Sequence, residues 1–411
     1  MRIAVVSPFV DKQHGTERVL AELLERLAAR HHAAIHLYTQ RVRDLPFSSS
    51  TRSSSKDLAL GKIVWHKVSR VPGPHLVQFL WWYFANRFAR WRDKKFRGLT
   101  PDLLYSPGIN APDADAITVH IVFHALYEQV RPELSLSSDS PLHWPRTIHR
   151  ILYYRLIMLL ERRIYRERGV RLSAVSQLVA DQLKRFFGRD DVVVIRSAVD
   201  TSQFNPEARS ARRDTARSAF GFAFGEFVFL LIGNDWKTKG LDTLLEALTE
   251  CTDLPLRLMV VGEDERDPYL RRCEALQLGS RVSFLDPSFD VLPFYAAADA
   301  YVGPSLEDAY GLPILESMAC GLPVIASTFA GASEIIRDGE NGLLFENPRD
   351  VSALSQLMRR VCTSPELARA LGAAAERTAS NESWEAHAKR TYEHFSQILS
   401  SKSCSSPNSP R

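Results

Sequence analysis

The strongest constraint on this chain is the alternation of short apolar runs with stretches of helical spacing. Arg2 to Pro8 (RIAVVSP) is a continuous apolar run that stops at a turn residue. A strand buried on both faces reads this way. Glu17 to Arg30 follows, with Val19, Leu20, Leu23, Leu24 and Leu27 at helical spacing, and Ala34 to Tyr38 is the next apolar run. A strand, a helix and a strand at this spacing make a βαβ unit, so a parallel sheet is expected. The same reading gives strands at 101–105, 116–120, 171–175 and 192–195. A second series follows at 227–232, 257–261, 282–285, 300–302 and 323–326. The expectation is two successive parallel α/β domains, for which 411 residues suffice. Residues 201–218, polar and Arg-rich, are expected to hold the linker, and Phe47 to Lys56, with six serines, a mobile loop. Ser383 to Leu399 reads as a final helix with Ser383 as its N-cap. Ser400 to Arg411 reads as a disordered Ser/Pro-rich tail.

Composition removes several alternatives. The hydrophobic fraction of 45% and charged fraction of 24% are those of a soluble globular protein. The cysteines (Cys251, Cys273, Cys320, Cys362 and Cys404) are odd in number and form no Cys-x-x-Cys. That argues against a disulfide framework or a zinc site and fits a reducing cytoplasm. The longest apolar stretches, 76–85 and 151–160, fall short of the roughly 20 residues that span a bilayer. Met1 to Val6 opens a strand directly and carries no cleavage pattern, so the expected location is the cytoplasm. Residues 1–200 hold 31 Lys and Arg against 19 Asp and Glu, and the remainder reverses the balance. An anionic partner for the first half is one reading of this split, and a chance distribution of solvated charge is the other.

The stretch richest in chemistry is Gly303 to Asn347 (GPSLEDAYGLPILESMACGLPVIASTFAGASEIIRDGENGLLFEN). Within it Tyr310, Gly311, Leu312 and Pro313 lead into a helix, with proline suited to its first turn. A glycine before a helix lets a phosphate approach backbone N–H groups, and the helix dipole favours the anion. Glu316 follows in the first turns, where a carboxylate can accept from two ribose hydroxyls. Upstream, Leu231 to Leu248 (LIGNDWKTKGLDTLLEAL) places Lys239 at the mouth of another helix. A lysine there is a point charge for a diphosphate and stabilises it as a leaving group.

These stretches resemble glycosyltransferase family 4, the retaining enzymes with the GT-B fold. In that family Pro-Ser is followed by Glu-x7-Glu around Gly-(Phe/Tyr)-Gly-Leu-Pro, then Gly-x-Pro-Val-Ile and an Asn-Gly-Leu-Leu turn. The resemblance covers roughly residues 1–395 and is weakest between 45 and 100. It implies an α/β, GT-B architecture: two Rossmann-like parallel-sheet domains facing across a cleft. Residues 1–200 would form the acceptor-binding domain and 201–382 the nucleotide-sugar-binding domain. The 383–399 helix would pack back toward the first, and 400–411 would form the tail.

The resemblance also implies site residues. Glu316 matches the ribose-binding Glu and Lys239 the cation at the diphosphate. Tyr310, Gly311 and Leu312 match the donor-binding turn. With seven residues intervening before Glu316 stands Asp308 rather than Glu, with Glu307 one place earlier, so either could serve the first acidic position at the donor sugar. Asn234 stands where many members have Arg, and Lys237 is a candidate replacement. In the loop after the first strand, His14-Gly15-Thr16-Glu17 takes the place of Gly-Gly-x-Glu, leaving Gly15 for close approach to donor or acceptor. His120 ends a strand where the family often has His near the transferred sugar, with His124 the alternative. Ser197-Ala198-Val199-Asp200 departs from Asn-Gly-Val-Asp, so Asp200 reads as structural. Residues 284–290 match the loop that receives the nucleobase, and Glu334 matches a further family motif.

The implied reaction moves a sugar, hexose or N-acetylhexosamine, from a UDP- or GDP-sugar to a glycan or lipid-linked acceptor in cell-surface polysaccharide or lipopolysaccharide synthesis. No cofactor beyond the nucleotide-sugar co-substrate is expected. No metal is expected either: the pairs His32/His36 and His120/His124 lack the Glu of a zinc helix, and Asp113-Ala114-Asp115 precedes a strand rather than ending one. Arg70 to Arg97 interleaves Phe79, Trp81, Trp82, Tyr83 and Phe84 with Arg87, Arg90, Arg92, Lys94, Lys95 and Arg97. Peripheral contact with an anionic membrane is one reading of it, and a core helix with a charged outer face is the other. Arg146 to Arg168 reads likewise. No nucleic-acid-binding module is recognisable. The alternative function is a catalytically weak nucleotide-sugar-binding subunit, suggested by Asp308, Asn234 and Ser197.

Overall fold

The computed structural model of the protein describes residues 1–12, 15–46, 48–49, 61–131 and 144–405. The chain divides into one unit of residues 1–196 with 387–411 and a second of 197–386.

In the first unit the chain runs β1 (Arg2–Val6), β2 (Phe9–Val10), α1 (Gly15–Ala29), β3 (Ala34–Thr39), β4 (Arg41–Val42), β5 (Ser48–Ser49) and β6 (Ile63–Lys67). It continues with α2 (His75–Arg97), β7 (Leu103–Pro107), β8 (Ala116–Val119), α3 (Phe123–Val130), α4 (Trp144–Tyr165), β9 (Arg171–Ala174), α5 (Gln177–Phe187) and β10 (Val193–Val194). Among the described residues the main sheet has the order β10-β9-β8-β7-β1-β3-β6-β5, with every pairing parallel. β1 lies between β3 and β7, with Ile3 opposite both Ile35 and Leu103. Its residues Ile3 to Val6 are buried because helices cover both faces of a parallel sheet. The α1 residues Leu20, Leu23, Leu24 and Leu27 pack on them at helical spacing.

In the second unit the chain runs α6 (Pro206–Ala219), β11 (Phe227–Ile232), α7 (Leu241–Thr249), β12 (Leu256–Val261), α8 (Arg266–Ala275), β13 (Val282–Leu285), α9 (Leu292–Ala297) and β14 (Ala300–Gly303). Then come α10 (Leu312–Ala319), β15 (Val324–Ser327), β16 (Leu343–Phe345), α11 (Val351–Thr363), α12 (Pro365–Ala379) and α13 (Trp384–Ser405). The sheet order is β13-β12-β11-β14-β15-β16, all parallel. This is the doubly wound order in which the chain starts in the middle, builds one half and returns for the other. From His387 onward α13 belongs to the first unit, where Ala388, Phe395 and Ile398 join the core of Ile3 and Leu24.

Several expectations need correction. The Arg-rich stretch expected to hold the linker is helix α6, capped by Asn205, whose side chain accepts from the Ala208 amide. Its arginines at four-residue spacing line one face and cap α9. Arg209 donates to the carbonyls of Tyr295 (3.2 Å) and Ala298 (2.9 Å), and Arg213 to that of Ala298 (3.0 Å). Arg217 donates to the Ala297 carbonyl and to Asp299, each at 3.1 Å. The last carbonyls of a helix have no partner within it, and here guanidinium groups supply one. Strands β6 and β16 were not expected. The final helix runs on to Ser405 rather than ending at Leu399. The loop expected at 47–56 lies outside the described residues apart from 48–49, and so does 406–411 of the expected tail.

Helix α2 buries Trp82, Asn86, Ala89 and Asp93. Phe84, Phe88 and Phe96 remain more than 60% exposed. Among the described residues no helix is long and apolar enough to cross a membrane.

The α9 cap makes a prediction. Arg213→Met is expected to lower the unfolding free energy of the second unit by about 1–3 kcal/mol, because the Ala296 carbonyl and Asp299 lose its donors and the Ala298 carbonyl keeps only that of Arg209. A urea midpoint that shifts by less than about 0.5 kcal/mol equivalent would mean that solvent caps α9 equally well.

Candidate functional site

In a doubly wound sheet the crevice lies at the carboxyl ends of the strands where the winding reverses. In the second unit that place is between β11 and β14. The loop after β11 runs from Gly233 to Gly240, and the loop after β14 from Pro304 to Gly311. Gly240 caps the N-terminus of α7 with φ +77°, and Gly311 that of α10 with φ +89°. Both conformations are left-handed and favour glycine. A Cβ on Gly240 would lie 2.0 Å from the carbonyl oxygen of Pro304. The two loops can therefore approach only because residue 240 has no side chain. The Leu306 amide then donates to the Thr238 carbonyl at 2.8 Å and ties them together.

Across this junction Lys239 Nζ lies 2.5 Å from Asp308 Oδ2, both side chains about one-fifth exposed. Gly233, at φ +155°, lets the lysine stem pass: a Cβ there would stand 2.9 Å from Lys239 Cε. Asp308 is fixed by its backbone on both sides. Its amide donates to Phe329 O (3.0 Å), and its carbonyl accepts from the Gly331 amide (2.8 Å). Of the two acids open for this position, Asp308 is the one facing the lysine, and Glu307 beside it is half-buried. The Tyr310 hydroxyl donates to the carbonyl of Ser197 at 3.1 Å, so the chain at the Ser197 departure from the family pattern anchors this turn.

Glu316, on α10, is 4% exposed. One of its oxygens accepts from the Tyr295 hydroxyl at 2.6 Å. Burial, followed by the charge of Glu316 and that hydrogen bond, holds the Tyr295 phenol well above its usual pKa. Tyr301 is buried as well, and its phenol is raised by burial and by the carboxylates of Asp308 and Glu316. The two tyrosines were not expected from the sequence. Each sits in an apolar run, FYAAADAYVG, where an aromatic reads as core, and only proximity to the acids marks them.

The other expected donor residues are placed differently. Asn234 Oδ1 accepts from the Glu263 amide at 2.8 Å, so this side chain bridges the loops after β11 and β12. Lys237 is exposed on the same loop. Beside it opens a cavity of about 450 Å³ lined by Asp235, Asp242, Asp264 and Glu265, with Lys237 and Arg272. The excess of carboxylates makes that cavity a poor place for a diphosphate. Residues 286–290 are exposed, Phe289 by 82%. Glu334 lies half-buried in a short 3-10 turn.

In the first unit Gly15 opens α1 beyond the carboxyl end of β1 and is exposed; His14 lies outside the described residues. His120 follows β8 directly. Its imidazole is pushed down to about 4, by burial and then by the charge His387 would carry. The alternative, His124, is committed elsewhere. Its Nδ1 lies 2.8 Å from Glu161, and that buried carboxylate also accepts the Phe123 and His124 amides, capping α3. The Asp-x-Asp pair is likewise occupied. Asp113 accepts from Arg90 at 2.8 and 2.9 Å, and Asp115 from the Leu104 amide (2.7 Å) and Lys402. Among the described residues no three His, Cys, Asp or Glu side chains group to hold a metal ion.

Two parallel doubly wound sheets, the second with paired glycine-led helix mouths at its switch point, define a GT-B protein. A model for Glycosyltransferase Family 4 matches residues 14–203, and one for Glycosyl transferases group 1 matches residues 212–378. The chain belongs to glycosyltransferase family 4. A D-inositol 3-phosphate glycosyltransferase of Rhodococcus erythropolis is 32% identical over 229 residues, 52% of this chain and 51% of that protein. One from Catenulispora acidiphila is 31% identical over 230 residues, 52% and 54%. The chain thus spans about half the length of the curated relatives it matches. Among solved structures, WaaG, a glycosyltransferase involved in lipopolysaccharide biosynthesis, superposes with a TM-score of 0.73 at 19% identity, covering 95% of this chain and 99% of WaaG. HepE from Anabaena in complex with UDP-glucose gives 0.66 at 20% identity, covering 97% and 100%. At these identities the likeness is one of fold.

The buried histidines give a pH prediction. His36, His120 and His387 are each pushed down to about 4, with burial the first cause. Between pH 6.5 and 4 the unfolded chain therefore binds more protons than the folded one, and stability falls as pH drops through that window. The first unit's thermal midpoint is expected to be several degrees lower at pH 5 than at pH 7. His387→Gln, which keeps a donor for the Arg196 carbonyl, should flatten that dependence, and an unchanged slope would count against it.

Proposed function

We propose that this chain transfers a sugar, with retention of anomeric configuration, from a UDP- or GDP-sugar to a glycan or lipid-linked acceptor. The observation that carries the reading is the Lys239–Asp308 pair at the meeting of two glycine-capped helix mouths. An ammonium group and two helix N-termini at one switch point form a ready receptor for a diphosphate. The carboxylate beside them suits the hydroxyls of a donor sugar.

The residues divide the work by charge. Lys239 neutralises the diphosphate and stabilises it as it leaves, which accelerates the chemical step because charge develops there. Asp308 holds the lysine before the donor arrives and takes sugar hydroxyls once the diphosphate competes for it. Glu316 accepts from ribose hydroxyls, oriented by Tyr295. Gly311, Leu312 and Tyr310 shape the turn at the diphosphate, and Gly15 permits close approach at α1. His120, neutral near pH 7, takes a hydroxyl of the transferred sugar. An oxygen of the departing phosphate assists the acceptor hydroxyl on the same face, which gives retention. A UDP-sugar is favoured by the HepE complexes, whose ligands include UDP and UDP-glucose. An acceptor in lipopolysaccharide or related polysaccharide synthesis is favoured by WaaG, a glycosyltransferase involved in lipopolysaccharide biosynthesis.

A thermal-shift screen against UDP, GDP and their common sugars tests the donor assignment. One nucleotide is expected to stabilise the protein, and Glu316→Ala and Lys239→Ala are expected to abolish that shift. Folded protein with no shift for any of them would point to a degenerate subunit or an unusual donor and would remove the catalytic assignments.

With a donor in hand, Asp308→Ala is expected to reduce kcat by about a hundredfold, the scale of removing one transition-state contact. Glu307→Ala should change it by less than about threefold. The reverse ranking would move the first acidic position to Glu307. The product's anomeric proton, read by NMR in the same assay, is expected to keep the donor's configuration, and an inverted linkage would refute retention.

A further inference from the structure

Helix α2 presents three longitudinal strips. At 100° per residue, Trp82, Asn86, Ala89 and Asp93 form one strip, and these are its buried residues. Arg87, Arg90 and Lys94 form a second, turned by roughly a quarter to a third of a circle. Phe84, Phe88 and Trp91 lie beyond it, exposed by 64%, 62% and 49%. The cationic strip borders a cavity of about 390 Å³ between the helix and the first unit's sheet. Arg87, Arg90, Lys94, Trp91, Tyr38 and Asp113 are among the residues that line it.

We infer that this cavity is a binding site for a phosphate-type oxyanion group. Its charged lining comprises three cations and one carboxylate, so an anion entering it meets a net positive field. The carboxylate is already matched, since Asp113 is gripped by Arg90 through two hydrogen bonds. Arg90 Nε is buried without a hydrogen-bond partner, a donor left over after Asp113 and Asn86 are served. Among the described residues neither Arg87 nor Lys94 enters an ion pair. A guanidinium fork and an ammonium group on one helix face are the donors that phosphate oxygens take. The wall is firm, because the Tyr38 hydroxyl is tied to the buried Asp93 at 3.3 Å.

The cavity belongs to the first unit and the Lys239–Asp308 junction to the second, and nothing in the donor chemistry accounts for it. Phosphate could arrive on a lipid headgroup or on a soluble molecule. The adjoining exposed aromatics favour the lipid source, because Phe and Trp beside cations sit at the boundary of headgroup and acyl chain.

The test uses the full-length protein with two probes: sn-glycerol 3-phosphate by titration calorimetry, and vesicles of phosphatidylglycerol or phosphatidylcholine by cosedimentation at fixed ionic strength. The double variant Arg87→Gln, Lys94→Gln is compared with Arg30→Gln, Lys184→Gln, which removes the same charge from exposed positions of the same unit. The first pair is expected to weaken binding by about tenfold or more, and the second by less than about twofold. Loss on phosphatidylglycerol vesicles alone identifies a lipid phosphate, and loss on both probes a phosphate site open to soluble ligands. Equal weakening by the two pairs would overturn the proposal by reducing it to general charge. So would wild-type protein that neither binds glycerol phosphate nor prefers phosphatidylglycerol.

Discussion

The approach of two loops at the centre of the second sheet is the constraint on which the candidate site depends. β11 has β12 on one side and β14 on the other, so the loops leaving β11 and β14 emerge side by side and turn to opposite faces. Gly240 lets them touch, with its Cα against the Pro304 carbonyl. Only at that separation can Lys239 reach Asp308 from a neighbouring strand end. A methyl group at residue 240 would force the loops apart and break the pair without altering either charged residue. Preorganisation of this kind places charge before a ligand arrives, when rearrangement would otherwise cost free energy.

A second line of support runs from a helix that binds nothing itself. Arg209, Arg213 and Arg217 on α6 hold the final carbonyls of α9, and Arg209 holds that of Tyr295 in particular. Tyr295 in turn holds Glu316. The half-buried Arg209 guanidinium is pushed down to about 10 by burial and by Arg213 beside it, so massing cations there carries a cost. Carbonyl dipoles and Asp299 offset that cost. A stretch that reads as a polar connector therefore orients a carboxylate at the site, through one backbone oxygen and one phenol.

Most of the strand positions were legible because strands buried on both faces write themselves as unbroken apolar runs. β11, at 227–232, and β14, at 300–303, lie within a residue of where those runs predict. β6 and β16 are not legible there: GKIVWHK mixes charge with apolar residues, and NGLLF looks like a turn. The pairing of β6 with β3 and of β16 with β15 is supplied by neighbours distant in sequence. Lys239 and Glu316 were legible from their motifs. Which of Asp308 and Glu307 faces the lysine was not, because that rests on how the fixed backbone of the 305–311 loop turns each side chain. The pairing of His124 with Glu161 was equally hidden, since Glu161 stands 37 residues away on α4.

The sequence by itself determined the repeating α/β order, the two parallel sheets and the glycine-led helix mouths with their lysine and acids. These are local matters of periodicity and backbone freedom, written within a few residues. Only the tertiary structure decided which groups meet: Lys239 with Asp308 across 69 positions, Tyr295 with Glu316, and the Asp-x-Asp carboxylates with Arg90 and Lys402. The cationic cavity under α2 is of the same kind. Charge partners at long sequence separation are chosen by the packing of whole elements, and no local pattern encodes that choice.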